Sequence, residues 1–587
     1  MVAQVGSTAS AQRIPSSPLA SRLDGIWEQL RREKGKAAVM AICIAALGYF
    51  VIYPFGALLL RGVVDPKTGA FTLARYIALV NDEEFRSALL TSLTISFGCL
   101  IVSMCLALPM AWAVSRTDMP LKGFVRTMTV LTFATPSFLG AIAWVVLLGP
   151  RGGSINLAIQ SLFGLESTPF SVFSVGGLIF VFSLYLYPYI FFAATTALDN
   201  MDPAMEEAAG MLGAGTWWTS VSITLPLILP AVLAGGALVV LESMVNFGVP
   251  AILGLPVHIE TLTTRIYSLF QFPPNYEAAA TTAMPIVLIV LLCVFAQRLA
   301  VGRRTYVTVG GISSQRRVIS LGGWRWVFAG LSLLIISASI FVPFTALLII
   351  SVKKTFGNPI SFENMSLIHY MNIAFGSSTT QRAIVNSVML AAGAALICMA
   401  FAVVLAWLVE RTKLPGRGLL GALVMACFSL PGIALAVSLI FAFSRGSLLP
   451  LYGTIWIILL AYVIHGLPVV FNYTRNSLRQ VNAELSDAAE IAGASPARAL
   501  WDITVPLIRG GVISGGLIVF VLMVREFGSS VLLTSAGTEV VAVAIYEFAE
   551  EGDNGRMAAL AIIIYLINLA VVLPARRLAK SVRGSEL

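Results

Sequence analysis

The chain has 587 residues, of which 58% are hydrophobic and only 11% charged, and its mean hydropathy is +0.88. A water-soluble domain carries about 25% charged residues, so this composition excludes a soluble globular protein, a disordered chain, collagen and a disulfide scaffold. The net charge of +9 does not indicate a nucleic-acid partner, because the basic residues lie in short clusters between apolar runs and not along one face.

Residues 1–36 form a polar tail ending in Arg31, Arg32, Lys34 and Lys36. The apolar run from Ala37 to Leu60 is too long for a signal-peptide core and lacks a small-residue cleavage site, so it is expected to stay as a membrane anchor. Apolar windows long enough to cross a bilayer follow in chain order, near 37–60, 88–114, 126–149, 174–197, 229–253 and 278–299, then near 327–352, 384–409, 419–443, 455–474, 510–533 and 557–574. The predicted fold class is an all-α integral membrane protein of about twelve spans with both termini on one side. With the amino terminus in the cytoplasm, the inner segments hold 26 of the 38 Lys and Arg residues and the outer loops 12, which agrees with the positive-inside bias.

The two sets of six spans resemble each other. Thr91-Ser92, Ala111-Trp112, Arg116-Thr117, Pro120 and Pro136 recur as Asn386-Ser387, Ala406-Trp407, Arg411-Thr412, Pro415 and Pro431, at an offset of 295. Leu198, Ala208-Ala209, Gly213, Pro226, Gly235-Gly236 and Phe247-Gly248 recur as Leu478, Ala488-Ala489, Gly493, Pro506, Gly515-Gly516 and Phe527-Gly528, at an offset of 280. The halves are a parallel duplication related by a pseudo-twofold axis along the membrane normal. The first carries 15 extra residues, placed in the outer loop around Gly149 to Ser174. The expected organisation is a cytoplasmic tail over 1–36, a first repeat over 37–300, a basic cytoplasmic linker over 301–326, a second repeat over 327–575 and a cytoplasmic tail over 576–587.

Between the fourth and fifth spans of each half lies the informative segment, within 198–228 and 478–508. The first copy runs Glu207-Ala208-Ala209, three residues, Gly213, nine residues, Ile223, one residue, Leu225-Pro226. The second runs Asp487-Ala488-Ala489, three residues, Gly493, nine residues, Ile503, one residue, Val505-Pro506. Acids in a first helical turn complement the helix dipole. Paired alanines leave a face that a partner can approach closely, a glycine permits the turn that ends the short helix, and proline suits the first turn of the next helix. A rigid knob on the cytoplasmic side is the expected result.

This spacing resembles the EAA loop of permease subunits of binding-protein-dependent ATP-binding-cassette importers, here present twice in one fused chain. The resemblance implies the type I importer permease fold, one cytoplasmic ATPase docked under each loop, and a periplasmic binding protein that delivers substrate. The ATPase-coupling residues would be Glu207, Ala208, Ala209, Gly213 and Pro226, with Asp487, Ala488, Ala489, Gly493 and Pro506. The only Gly-Lys pair, Gly35-Lys36, precedes the first span and no Walker A loop occurs, so ATP must be hydrolysed by a separate subunit and the chain itself is not expected to be an enzyme. Asn246-Phe247-Gly248-Val249-Pro250 and Thr261-Leu262-Thr263-Thr264-Arg265-Ile266-Tyr267 resemble the ferric-iron permease group, which shares its architecture with permeases for thiamine, polyamines and 2-aminoethylphosphonate. An ion-coupled secondary transporter is the competing class; it needs no twin EAA loops.

Charges within spans are costly and usually face a cavity or a partner. Glu242 falls in the fifth span, with Asn246 one helical turn on, and Arg525-Glu526 in the eleventh; Glu526 matches Asn246 by the offset of 280. Glu242, Asn246 and Glu526 are expected to line the central passage, with Arg525 pairing or screening an acid; a structural ion pair between equivalent helices is the alternative. His465 reads as a packing residue, and the aromatic run Tyr185 to Phe192 as packing and interface anchoring. The six cysteines sit in apolar runs without metal-ligand spacing, so neither a metal site nor a cofactor is expected.

Overall fold

The computed structural model describes residues 33–64, 68–150, 152–202, 204–302, 318–357, 361–444 and 446–584. Most of the amino-terminal tail and the linker arginines Arg303, Arg304, Arg316 and Arg317 lie outside the described residues.

In the first half, α1 (Lys34–Val63) and α2 (Glu83–Arg116) are followed by the short helices α3 (Lys122–Ala134) and α4 (Ser137–Leu148). A small outer helix, α5 (Ser154–Phe163), precedes α6 (Val175–Asn200) and α7 (Ala204–Met211). The long α8 (Thr216–Val245) leads into the short α9 (Gly248–Leu253) and α10 (Leu262–Ser268), and α11 (Tyr276–Gly302) closes the half. The second half repeats this order without the counterpart of α5: α12 (Trp324–Ser351), α13 (Ser378–Arg411), α14 (Arg417–Ala426), α15 (Gly432–Ala442), α16 (Ile455–Gln480), α17 (Glu484–Ile491), α18 (Pro496–Val524), α19 (Ser530–Leu533), α20 (Val541–Glu551) and α21 (Asn554–Gly584). The extra residues of the first half therefore hold α5.

Among the described residues, ten helices are long and apolar enough to cross a membrane. The spans expected near 126–149 and 419–443 are instead broken pairs. Helices α3 and α4 meet at 96°, with Thr135 extended before Pro136; α14 and α15 are interrupted in the same way, with Leu430 extended before Pro431. Proline disfavours helical backbone in the residue before it, so the prolines that mark the duplication also break each helix. The spans expected over 229–253 and 510–533 end early, at Val245 and Val524. Polar side chains cap the following segment: Asn246 Oδ1 accepts from the Val249 N–H at 3.2 Å and Glu526 Oε1 from the Ser529 N–H at 3.0 Å.

Within each half, α2 packs along α6 and α8, and α13 along α16 and α18. Gly235 is required for this: a Cβ there would lie 2.9 Å from the Tyr189 carbonyl and 3.1 Å from the Ile190 Cα of α6. Gly515 stands in the same relation to Val470 Cα at 3.0 Å. Between halves, the first helices reach across. Helix α1, while packing on α11 of its own repeat, reaches across to α14 and α15, with Tyr49, Phe50 and Tyr53 around Phe443 at ring-centroid distances of 5.8, 6.3 and 6.1 Å. Helix α12 reciprocates against α2, α3 and α4, where Phe328 meets Trp112 at 5.5 Å.

Candidate functional site

Two hairpins, α7 with the start of α8 and α17 with the start of α18, are built alike. Glu206 and Glu207 open α7, and Glu484 and Asp487 open α17. Each helix stops at a glycine in the left-handed region, Gly213 at φ +83° and Gly493 at φ +94°, a conformation costly for side chains with a Cβ. The turn closes by paired backbone bonds: Ala214 N–H to the Ala209 carbonyl at 3.0 Å and Gly213 N–H to Gly210 at 3.0 Å, matched by Ala494 to Ala489 at 2.9 Å and Gly493 to Glu490 at 3.1 Å. The chain then turns directly into the membrane helix. Pro226 and Pro506 fall in the first turn of the α-helical stretches Leu225–Val245 and Val505–Val524, as expected from sequence. Each follows a π-turn, Ser220–Thr224 or Leu500–Thr504, inside a continuous helix, because proline offers no N–H to its own turn.

The outward surface of the first hairpin is apolar. Met211, Leu212 and Trp217 are 84, 88 and 81% exposed. A cavity of about 490 Å³ is lined by Met205, Ala209, Leu212, Gly213, Ala214, Trp218 and Ile223. The second hairpin exposes Leu485, Ile491 and Trp501. The paired alanines divide their work: Ala208 and Ala488 face outward with Glu207 and Asp487, whereas Ala209 is buried and Ala489 half-buried against their own hairpins.

The hairpins are anchored differently. Arg116, the last residue of α2, reaches Glu206 Oε2 with Nε at 3.6 Å; their side chains are 3 and 5% exposed. Arg116 Nη2 also donates to the Met201 carbonyl at 3.3 Å, and the Thr224 hydroxyl donates to Glu206 Oε1 at 2.6 Å. In the second repeat Arg411 Nη2 donates to the Leu478 carbonyl at 2.8 Å, but Ser486 stands where Glu206 would be and bonds the Thr504 hydroxyl at 3.1 Å. A neighbouring clamp is reversed in sign. Arg126 of α3 holds both oxygens of Asp199 on α6 at 2.8 and 3.1 Å; in the second repeat Glu410 of α13 holds Arg475 and Arg479 of α16, the Arg479 bonds being 2.9 and 3.1 Å. Reversal hides this pair from a search for identical residues.

At the opposite end of α8 and α18 the two repeats meet. Phe247 and Phe527, equivalent residues, lie 5.1 Å apart; Phe247 meets Tyr267 at 5.1 Å and Phe527 meets Tyr546 at 5.3 Å. Tyr267 and Tyr546 meet at 6.4 Å, so four rings from the two repeats pack together. The start of α10 and of α20 is held alike, Leu262 N–H to Ser92 Oγ at 2.9 Å and Val541 N–H to Ser387 Oγ at 2.8 Å. Beside Tyr546, α20 gathers acids: burial, followed by the Glu551, Glu539 and Glu550 carboxylates, pushes the Glu547 carboxyl above its ordinary value.

Of the expected passage residues, Glu242 occupies the last turn of α8, where its carboxylate meets the Tyr189 hydroxyl and faces Arg525, His465 and Glu526. The structure brings Glu242, Arg525 and Glu526 together from two repeats. No ion pair forms: among the described residues no carboxylate comes within 4 Å of the Arg525 guanidinium, whose Nη1 donates to the Phe133 carbonyl at 3.3 Å. Asn246 is turned aside; its amide donates to Ser137 Oγ at 3.2 Å and its carbonyl oxygen caps α9.

Against known proteins, the profile of the family described as "Binding-protein-dependent transport system inner membrane component" matches residues 103–304 and again 401–584. The chain belongs to that family, with its domain present twice. The permease is 25% identical over 541 residues to a ferric transport system permease protein of Actinobacillus pleuropneumoniae, covering 90% of this chain and 76% of the relative. It is 28% identical over 204 residues to a molybdenum transport system permease protein of Escherichia coli (strain K12), covering 34% of this chain and 86% of that one. A solved bacterial alginate transporter in complex with an alginate-bound periplasmic protein aligns with a TM-score of 0.40 at 21% identity, over 49% of this chain and 99% of its own. The permease is thus a multi-pass inner membrane transport subunit of an importer, carrying two fused repeats of the type I permease fold.

Proposed function

We propose that this permease imports ferric iron delivered by a periplasmic binding protein, driven by two copies of a cytoplasmic ATP-binding subunit. The observation that carries the coupling half of this reading is the matched pair of hairpins, each presenting Glu207-Ala208 or Asp487-Ala488 beside exposed apolar side chains on a glycine-stopped helix. One ATPase subunit seats against each. Closure of the ATPase pair draws the hairpins together, and α8 and α18, continuous with them, carry that movement to the ring of Phe247, Phe527, Tyr267 and Tyr546. The passage then opens outward by alternating access. Hairpins, linker and both termini lie on the cytoplasmic side in this scheme, with lipid around the outer helices.

Glu242 and Arg525 line the passage, with Glu526 behind Arg525 and Asn246 holding the local break. The iron assignment is supported by the ferric permease relative and by the acidic surface of α20 beside the aromatic ring, which favours a cationic cargo on electrostatic grounds. Uptake of ⁵⁵Fe into membrane vesicles tests the reading. It should require ATP, the ATPase subunit and the loaded binding protein, and should persist when the proton gradient is collapsed. Uptake that follows the proton gradient and ignores ATP overturns it. Wild-type uptake by Glu242→Gln and Glu526→Gln proteins overturns the passage assignment.

A further inference from the structure

Resting on the ferric reading and deepening it, we propose that iron crosses this permease as a ferric–oxyanion unit and not as a bare trivalent ion, with Arg525 receiving the anion and Glu242 and its tyrosine neighbours receiving the metal. Arg525 occupies the break after α18 and is half-buried. One of its N–H groups is used by the Phe133 carbonyl; the rest of the fork meets no carboxylate within 4 Å among the described residues. The adjacent acid does not neutralise it by contact, because Glu526 Oε1 is bound to both the N–H and the hydroxyl of Ser529, at 3.0 and 3.1 Å.

Around Arg525 stand Tyr189, Glu242, Glu526 and Tyr565. The Tyr185 hydroxyl and His465 Nδ1 are buried and make no hydrogen bond to any described residue, while the Tyr565 hydroxyl has Thr135 beside it. Tyr185 lies directly against Gly140 of α4, where a Cβ would strike its ring, and Tyr565 is its neighbour. Buried polar groups are normally partnered, and a cluster of orphans points to a ligand that supplies the missing bonds.

The chemistry of the cluster selects that ligand. Carboxylate and tyrosine oxygens suit a hard cation. A fixed guanidinium in the same wall repels an unaccompanied one, and its planar fork matches an oxyanion. A cargo with both parts meets both groups, and its anion lowers the charge carried past Arg525.

The test uses proteoliposomes holding the full permease with its ATPase and ferric binding protein, ⁵⁵Fe, and either ³³P-phosphate, ¹⁴C-carbonate or ¹⁴C-citrate as the sole coordinating anion. One anion label is expected to accumulate with ⁵⁵Fe in fixed ratio under ATP. Arg525→Gln should lower both by tenfold or more with ATPase copurification unchanged. Tyr189→Phe with Tyr185→Phe, which removes only hydroxyls, should raise the apparent KM for iron several-fold. Entry of ⁵⁵Fe with no anion label overturns the proposal, as does wild-type transport by both variants. Absence of wild-type ⁵⁵Fe uptake in every condition overturns the ferric reading itself.

Discussion

Arg116 and Glu206 form a buried ion pair, Nε to Oε2 at 3.6 Å, joining the end of α2 to α7, whereas their counterparts Arg411 and Ser486 carry no charge pair. Removing one partner of a buried pair costs about 3–5 kcal/mol, since the remaining charge stays buried. Glu206→Ala should therefore lower the unfolding temperature of the purified permease and release the ATPase from the first hairpin. Ser486→Ala, which deletes a neutral bond, should cost about 1 kcal/mol and leave ATPase binding near normal. Equal effects of the two variants in a thermal melt would contradict the asymmetry.

Gly213 and Gly493 sit at positive φ with open space where a Cβ would go. Alanine at either position meets only backbone strain, about 1 kcal/mol, and both variants should insert and transport. Aspartate at both adds a charge at the foot of each coupling helix. Gly213→Asp with Gly493→Asp should abolish copurification of the ATPase while membrane insertion, measured by fractionation, stays intact.

Phe247 and Phe527 touch across the pseudo-twofold axis at 5.1 Å. Truncating a buried phenylalanine costs about 3–5 kcal/mol, and in the proposed cycle both side chains belong to the closure of the passage. Phe247→Ala with Phe527→Ala should give ATP-independent ion leak in proteoliposomes, read as decay of an imposed potassium gradient. A tight double variant would place the closure elsewhere.

Asp118, in the loop after α2, accepts from the Leu321 N–H at 2.9 Å and the Ser320 hydroxyl at 3.3 Å, tying the first repeat to the segment that enters the second. The Leu321 N–H, ahead of Ser320 and Arg325, holds its carboxyl below the ordinary value of 3.8. A depressed acid contributes stability above its unfolded value and loses it as pH falls through the folded one. Asp118→Asn should thus speed amide exchange at Leu321 at neutral pH. The stability difference from wild type should be full above about pH 4 and shrink progressively below it.

Fused repeats, the twin glycine-stopped hairpins and the nearness of Glu242 to Arg525 were legible because each rests on spacing or on the cost of charge in a membrane. The breaks at Pro136 and Pro431 were not, since a hydropathy window measures composition and ignores direction. Glu242 reads as mid-span for the same reason, although Asn246 ends its helix one turn later. The ring formed by Tyr267 and Tyr546 escaped because the offset between halves slips from 280 to 279 after the fifth span. Met205, Leu212 and Trp218 beside the first hairpin read as ordinary apolar residues until the turn at Gly213 set them around one hollow.

Helices α1 and α12 lace the halves together, each packed on the last helix of its own half and reaching over to the other. Severing the tether between residues 303 and 317 should then leave two halves that still copurify in mild detergent.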